Sequence, residues 1–141
     1  LEFAKKTSRP LIIFAEDFSS EALTAMVEKA ETWFEDSGGK VANAIVRGSI
    51  EDISAFSGAT IVGDQFSEYP SLRKADPAYI VGKVKGATLT KSETVLKGFE
   101  DDPKLKISIA GRIEYLNNYM KDNMLLGDFE ADMINERIGK L

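Results

Sequence analysis

The stretch from about Ser20 to Phe34 constrains this chain more than any other. Set on a helix at ~100° per residue, Leu23, Met26, Val27, Ala30, Trp33 and Phe34 share one arc, and Ala22 and Ala25 widen it to roughly 200°. Glu21, Thr24, Glu28, Glu31 and Glu35 take the other side. A helix resting on a single sheet needs an apolar stripe only a little over ~100° wide. The surplus must be covered. Pattern alone leaves two covers open: a second helix of the same domain, or a partner seated in a groove, because large exposed apolar patches mark interaction sites.

What precedes this helix reads as a buried strand. Pro10 is tolerated at a strand's start but not inside it, and Leu11 to Phe14 form a short continuous apolar run. Glu16 and Asp17 end the run. Ser19 or Ser20 can cap the helix, since a serine hydroxyl accepts from first-turn amides that otherwise lack a partner. Glu21 then suits the positive end of the helix dipole.

Further along, Ser37-Gly38-Gly39 predicts a turn, Lys40 to Val46 a second strand, and Ser49 the cap of a short helix. Gly58 fits a left-handed helix terminus, and Ala59 to Val62 a third strand. Residues 63–81 carry Gly63, Pro70 and Pro77 and predict a loop, with one helical turn near Ser71 to Lys74. Gly82 to Leu89 and Glu93 to Lys97 flank Thr90-Lys-Ser92 as a hairpin. Pro103 suits a first helical position, and Leu105, Ile109, Ile113, Leu116, Met120 and Met124 recur at helical spacing. Gly127 interrupts, and Asp128 can cap a last helix carrying Phe129, Met133, Ile134 and Ile138. Strands alternating with helices, followed by a helical pair, describe an α/β domain.

Catalytic chemistry has little to stand on. There is neither cysteine nor histidine among the 141 residues, which removes disulfides, thiol catalysis, the commonest metal ligand and the commonest general base. Ser19, Ser20, Ser49 and Ser54 therefore have no histidine to activate them. Glu16 and Asp17 sit at a strand's C-terminal end, where α/β folds place ligand groups, but helix capping explains them more simply. Glu100-Asp101-Asp102 reads as a solvated helix start rather than a cation site. Ser37-Gly38-Gly39-Lys40 and Gly82-Lys-Val-Lys-Gly86 lack the spacing of a phosphate loop. With 18 basic residues scattered among 23 acidic ones and a net charge of −5, no nucleic-acid footprint is expected. No run approaches the ~18 apolar residues of a membrane span, and no signal peptide is visible.

Several collinear segments carry a family resemblance. Arg9 to Met26 resembles the start of the polypeptide-binding half of the apical domain of group I chaperonins, the GroEL family, with its proline, apolar strand, Ala-Glu-Asp and Glu-Ala-Leu helix. Glu51-Asp-Ile-Ser-Ala-Phe-Ser-Gly-Ala-Thr-Ile61 resembles the second groove helix and the strand after it. Gly82-Lys-Val-Lys-Gly-Ala-Thr-Leu-Thr-Lys91 resembles a strand ending in the family's Thr/Asn-Lys turn. Ile109-Ala-Gly-Arg-Ile113 and Asn135-Glu-Arg-Ile-Gly-Lys-Leu141 resemble the long helix and the return toward the intermediate domain. Order and spacing together carry the likeness, which spans nearly the whole chain.

The resemblance implies an apical-domain-like β-sheet flanked by helices, residues 1–126, and a helical return, residues 127–141. It implies a fragment of an ATP-driven, cytoplasmic ring. ATP and magnesium would belong to the full-length parent, and no cofactor or metal is expected here. The implied partner is non-native polypeptide, held by Leu23, Met26, Ala30 and Ile50 in a groove between two helices. Ile53 and Phe56 would face the core, and Trp33 has no counterpart in the family. Between Val46 and Ile50 only Arg47-Gly-Ser49 stands where the family carries a longer loop and a helical turn. A second groove helix of about two turns and a truncated cleft are expected, which counts against a cochaperonin lid and suits a divergent chaperonin such as bacteriophages encode. The fragment itself need not oligomerise. Two other classes stay open: a small α/β ligand-binding or enzyme domain using Glu16 and Asp17, and an interaction module for one fixed partner.

Overall fold

The computed structural model describes residues 1–37, 47–63, 68–90, 92–123 and 125–141, with side chains placed outside 29–37 and 47. Along the described chain run α1 (Glu2–Thr7), α2 (Ser20–Ser37), α3 (Arg47–Ser57), α4 (Pro77–Ile80), β1 (Gly86–Leu89), β2 (Thr94–Lys97), α5 (Pro103–Asp122) and α6 (Asp128–Lys140). Six helices and a two-stranded antiparallel sheet make this a mixed α/β fold.

Capping chemistry sets most of the helix starts. Ser19 Oγ accepts from Ala22 N at 3.2 Å and opens α2. Asp102 Oδ1 accepts from Lys104 N at 2.9 Å and from Leu105 N at 3.4 Å, with Pro103 in the first position of α5, where no amide is needed. Asp76 does the same for the single turn of α4 through Ala78 N, 2.9 Å. Ser71 caps a 3-10 turn at Leu72–Lys74, in the place predicted for a helical turn.

The hairpin also falls where the pattern puts it, with shorter strands. Gly86 pairs Lys97 and Leu89 pairs Thr94. Thr90 closes the turn twice: its hydroxyl donates to Glu93 O and accepts from Glu93 N, both at 3.0 Å. On the other side of the fold α5 packs against both α3 and α6. Leu116 of α5 and Ile134 of α6 are the buried aliphatics of this helical layer.

Three expectations need correction. Leu11 to Phe14 is half-buried but forms no strand, since none of its backbone groups hydrogen-bonds another described residue. An apolar run supplies burial; a strand also needs a ladder. Ala59 to Val62 reduces to one parallel bridge, Val62 to Tyr69, supported by Thr60 N to Ile80 O at 2.9 Å. The second groove helix is longer than two turns: α3 has 11 residues and begins at Arg47 rather than at a Ser49 cap. The strand predicted over Lys40 to Val46 lies outside the described residues.

Candidate functional site

A broad open cleft is bordered by residues drawn from 1–26, 50–63 and 72–99; Ala22 and Met26 of α2, Ile50 and Ile53 of α3, and Ile12 and Phe14 are among its apolar side chains. Lys83 and Lys85, on the approach to β1, stand at its border. α2 is the looser wall: among the described residues the extensive helix contacts are α3 with α5 and α5 with α6. Leu23 and Val27, one turn apart, remain 46% and 57% exposed, so they form an apolar ridge beside the cleft.

The residues singled out from sequence do not share one environment. Leu23 is exposed on the ridge, whereas Met26, at 8% exposure, turns inward and lines the cleft. Ile50 is half-buried and lines the cleft. Ala30 and Trp33 have side chains outside the described set. Val27, already on the α2 arc, stands exposed at i+4 from Leu23, and Ile53, expected to face the core, is half-buried and borders the cleft at i+3 from Ile50. Both spacings were visible in the sequence. The Phe56 ring packs on Gly98, 2.9 Å from where a Cβ there would sit.

The opposite face of α3 is ionic. Asp52, buried within the helical layer, receives Arg112 Nε of α5 at 2.8 Å on Oδ1. Arg137 of α6 reaches it with Nε on Oδ2 at 2.7 Å and Nη2 on Oδ1 at 2.9 Å. Arg112 Nη2 also pairs with Glu51, and its guanidinium lies 5.0 Å from the centre of the Tyr115 ring. Burial opposes ionisation of Asp52, but the hydrogen bonds from Arg137 and Arg112 outweigh it and hold its pKa below the usual aspartate value. Hydrogen bonding to Asp52 in turn raises the pKa of Arg137. Among the described residues no buried side-chain polar atom lacks a partner.

Glu16 and Asp17 border the same cleft. Both are exposed, and Asp17 Oδ1 accepts from its neighbour Phe18 N at 2.8 Å, a local turn contact. Asp102 of the acidic run is occupied as a helix cap. Among the described residues no cluster of carboxylates has the makings of a metal site, and no helix is long and apolar enough to cross a membrane.

No protein-family model matches the chain. Individual relatives do. The mitochondrial chaperonin HSP60 of Trypanosoma cruzi is 32% identical over 151 aligned positions, covering all of this chain and 25% of that protein. Chaperonin GroEL 1 of Prochlorococcus marinus (strain MIT 9301) is 32% identical, covering 100% of this chain and 23% of its own length. The RuBisCO large subunit-binding protein subunit beta-1 of Chlamydomonas reinhardtii is 31% identical, again over the whole chain and 31% of its own length. The chain thus spans about a quarter of the length of the curated relatives it matches. Similarity of about 32% identity to chaperonins over the whole of this chain makes it a divergent member of the GroEL/Hsp60 group I chaperonin family.

Proposed function

We propose that this chain is the apical, polypeptide-binding part of a chaperonin subunit, and that it captures non-native proteins through the cleft bordered by α2 and α3. The observation that carries the reading is the exposed Leu23–Val27 ridge beside an apolar cleft lined by Met26 and Ile50. Such a surface takes an amphipathic helix or an extended segment by burying its apolar side chains, without sequence-specific hydrogen bonds. Each aliphatic side chain buried contributes roughly 1.5–3 kcal/mol, so a few such contacts give binding that is useful yet reversible. The flexible thioether of Met26 lets the lining adapt to different occupants.

Within the family such a part belongs to a larger subunit, and we assign ATP binding, magnesium and ring assembly to that subunit rather than to these residues. The relatives' names speak of chaperonins and, in one case, of binding the large subunit of RuBisCO.

The test is suppression of aggregation when a chemically unfolded model protein is diluted into buffer with this chain. Wild type should suppress it, and Leu23→Glu/Val27→Glu, checked for a native circular dichroism spectrum, should not. These two positions are exposed, so charge there blocks the ridge without breaking the core. Equal suppression by the folded double variant would overturn the ridge as the binding surface; no suppression by wild type would overturn polypeptide capture by this chain.

A further inference from the structure

The two faces of α3 are mechanically linked. Gly48 and Asp52 face the guanidinium of Arg137, while Ile50 and Ile53, roughly 150° round the helix on average at ~100° per residue, form the cleft wall. Arg137 Nη2 donates to the Gly48 carbonyl at 3.0 Å as well as to Asp52, so one side chain of α6 grips α3 at its first turn and again one turn later. The seat is shaped for it: a Cβ at Gly48 would lie 3.0 Å from Arg137 Cζ and Nη1. Asp52 Oδ2 is held by Arg137, whereas Arg112 of α5 holds Oδ1. Removing Arg137 therefore releases the first turn of α3 and half of the carboxylate, and a helix that rolls on one face moves the other with it.

We propose that Arg137 is a positioning residue for the cleft: by fixing the roll of α3 it sets how Ile50 and Ile53 are presented, so that cleft affinity depends on α6 being docked. This rests on the polypeptide-binding reading above. Because coupling between two sites is reciprocal, a peptide in the cleft must also hold α6 in place.

A fluorescein-labelled amphipathic Leu/Ser peptide, followed by anisotropy, serves as the probe. Arg137→Ala, with native circular dichroism, is expected to bind it about tenfold more weakly than wild type, within the usual range of coupling between sites. Arg137→Lys restores only part of the loss, since an ammonium cannot reproduce the fork. Glu136→Ala, which removes the exposed pair with Lys140 on the same helix, leaves affinity unchanged. Amide exchange across 128–140 slows when wild type is saturated with peptide, a readout that needs no variant to fold. Unchanged affinity in folded Arg137→Ala, or unchanged exchange in α6 of the saturated wild type, overturns the positioning role while leaving the cleft as a binding site. Failure of wild type to bind the peptide overturns the cleft reading itself.

Discussion

Arg137 meets Asp52 with both arms of its fork, Nε on Oδ2 at 2.7 Å and Nη2 on Oδ1 at 2.9 Å, across 85 positions of sequence. The parallel arrangement gives a charge-assisted pair its best geometry. Side-chain exposures of 12% for Asp52, 14% for Arg112 and 25% for Arg137 place the triad between a surface pair and a buried one. It joins α3, α5 and α6, of which α3 and α6 each pack against α5.

Asp52→Ala removes the one acceptor both arginines share and leaves two guanidinium groups under-solvated. Breaking a buried pair from one side costs about 3–5 kcal/mol, and the residual exposure here brings the expectation toward about 3 kcal/mol. Urea denaturation measures it. A loss below about 0.5 kcal/mol would put the triad in the class of solvated surface pairs.

The same carboxylate gives the fold an acid sensitivity whose sign is fixed. Its pKa is lower in the folded chain than in the unfolded one, where it sits near ~3.9. Its contribution to stability is therefore complete above the unfolded value and is lost as pH falls through the folded value. Asp52→Asn keeps the shape but cannot ionise. The stability gap between wild type and Asp52→Asn should be constant above pH ~5 and close progressively below pH ~4. Urea midpoints recorded across that range test it, and a gap that persists unchanged into strong acid would show that Asp52 is not its source.

Local chemistry was legible in the sequence wherever a residue acts on its own neighbours. Ser19 capping α2, Pro103 opening α5, Gly58 ending α3 at φ 74 and the Thr90 turn all follow from contacts within a few residues. Pairing over distance was not. Leu11 to Phe14 carries the apolar run of a strand, yet nothing in that run states which segment would supply its ladder. The site was half visible: the wide arc of α2 called for a cover, a second helix or a partner, but periodicity could not say that Met26 turns inward while Val27 stays out. Asp52 looked like one of two adjacent acids in α3. Its importance comes from Arg112 and Arg137, whose arrival depends on how α5 and α6 pack, and no spacing records that.

α5 offers a direct comparison of burial at fixed secondary structure. Leu116 is 2% exposed and Ile107 74%. Leu116→Ala should cost about 3 kcal/mol, the lost transfer energy plus a cavity that neighbouring helices cannot fully close. Ile107→Ala should stay within about 0.5 kcal/mol, because helix propensity and exposure leave little to lose. Thermal or urea denaturation of the two variants side by side is sufficient, and similar losses would mean that Leu116 is not the centre of the helical layer.

Gly82 stands where two backbones touch. A Cβ there would lie 2.4 Å from Ala59 N and 2.5 Å from Ser57 O, and neither is the movable end of a side chain. The close approach lets Lys83 N reach Ser57 O at 2.9 Å, which ties the lead-in to β1 to the C-terminal turn of α3. Gly82→Ala must therefore push backbone apart, at about 2 kcal/mol or more by analogy with overpacked interiors. Gly127→Ala makes the control, since its Cβ would meet nothing within 4 Å and its φ of −61 suits alanine. Because the strain at Gly82 is delivered to α3, the helix that carries Ile50 and Ile53, the Gly82→Ala chain should also bind the amphipathic peptide more weakly than Gly127→Ala at a denaturant-free temperature where both are folded. Equal stability of the two variants would mean that the α3–β1 junction is looser than a 2.4 Å approach allows.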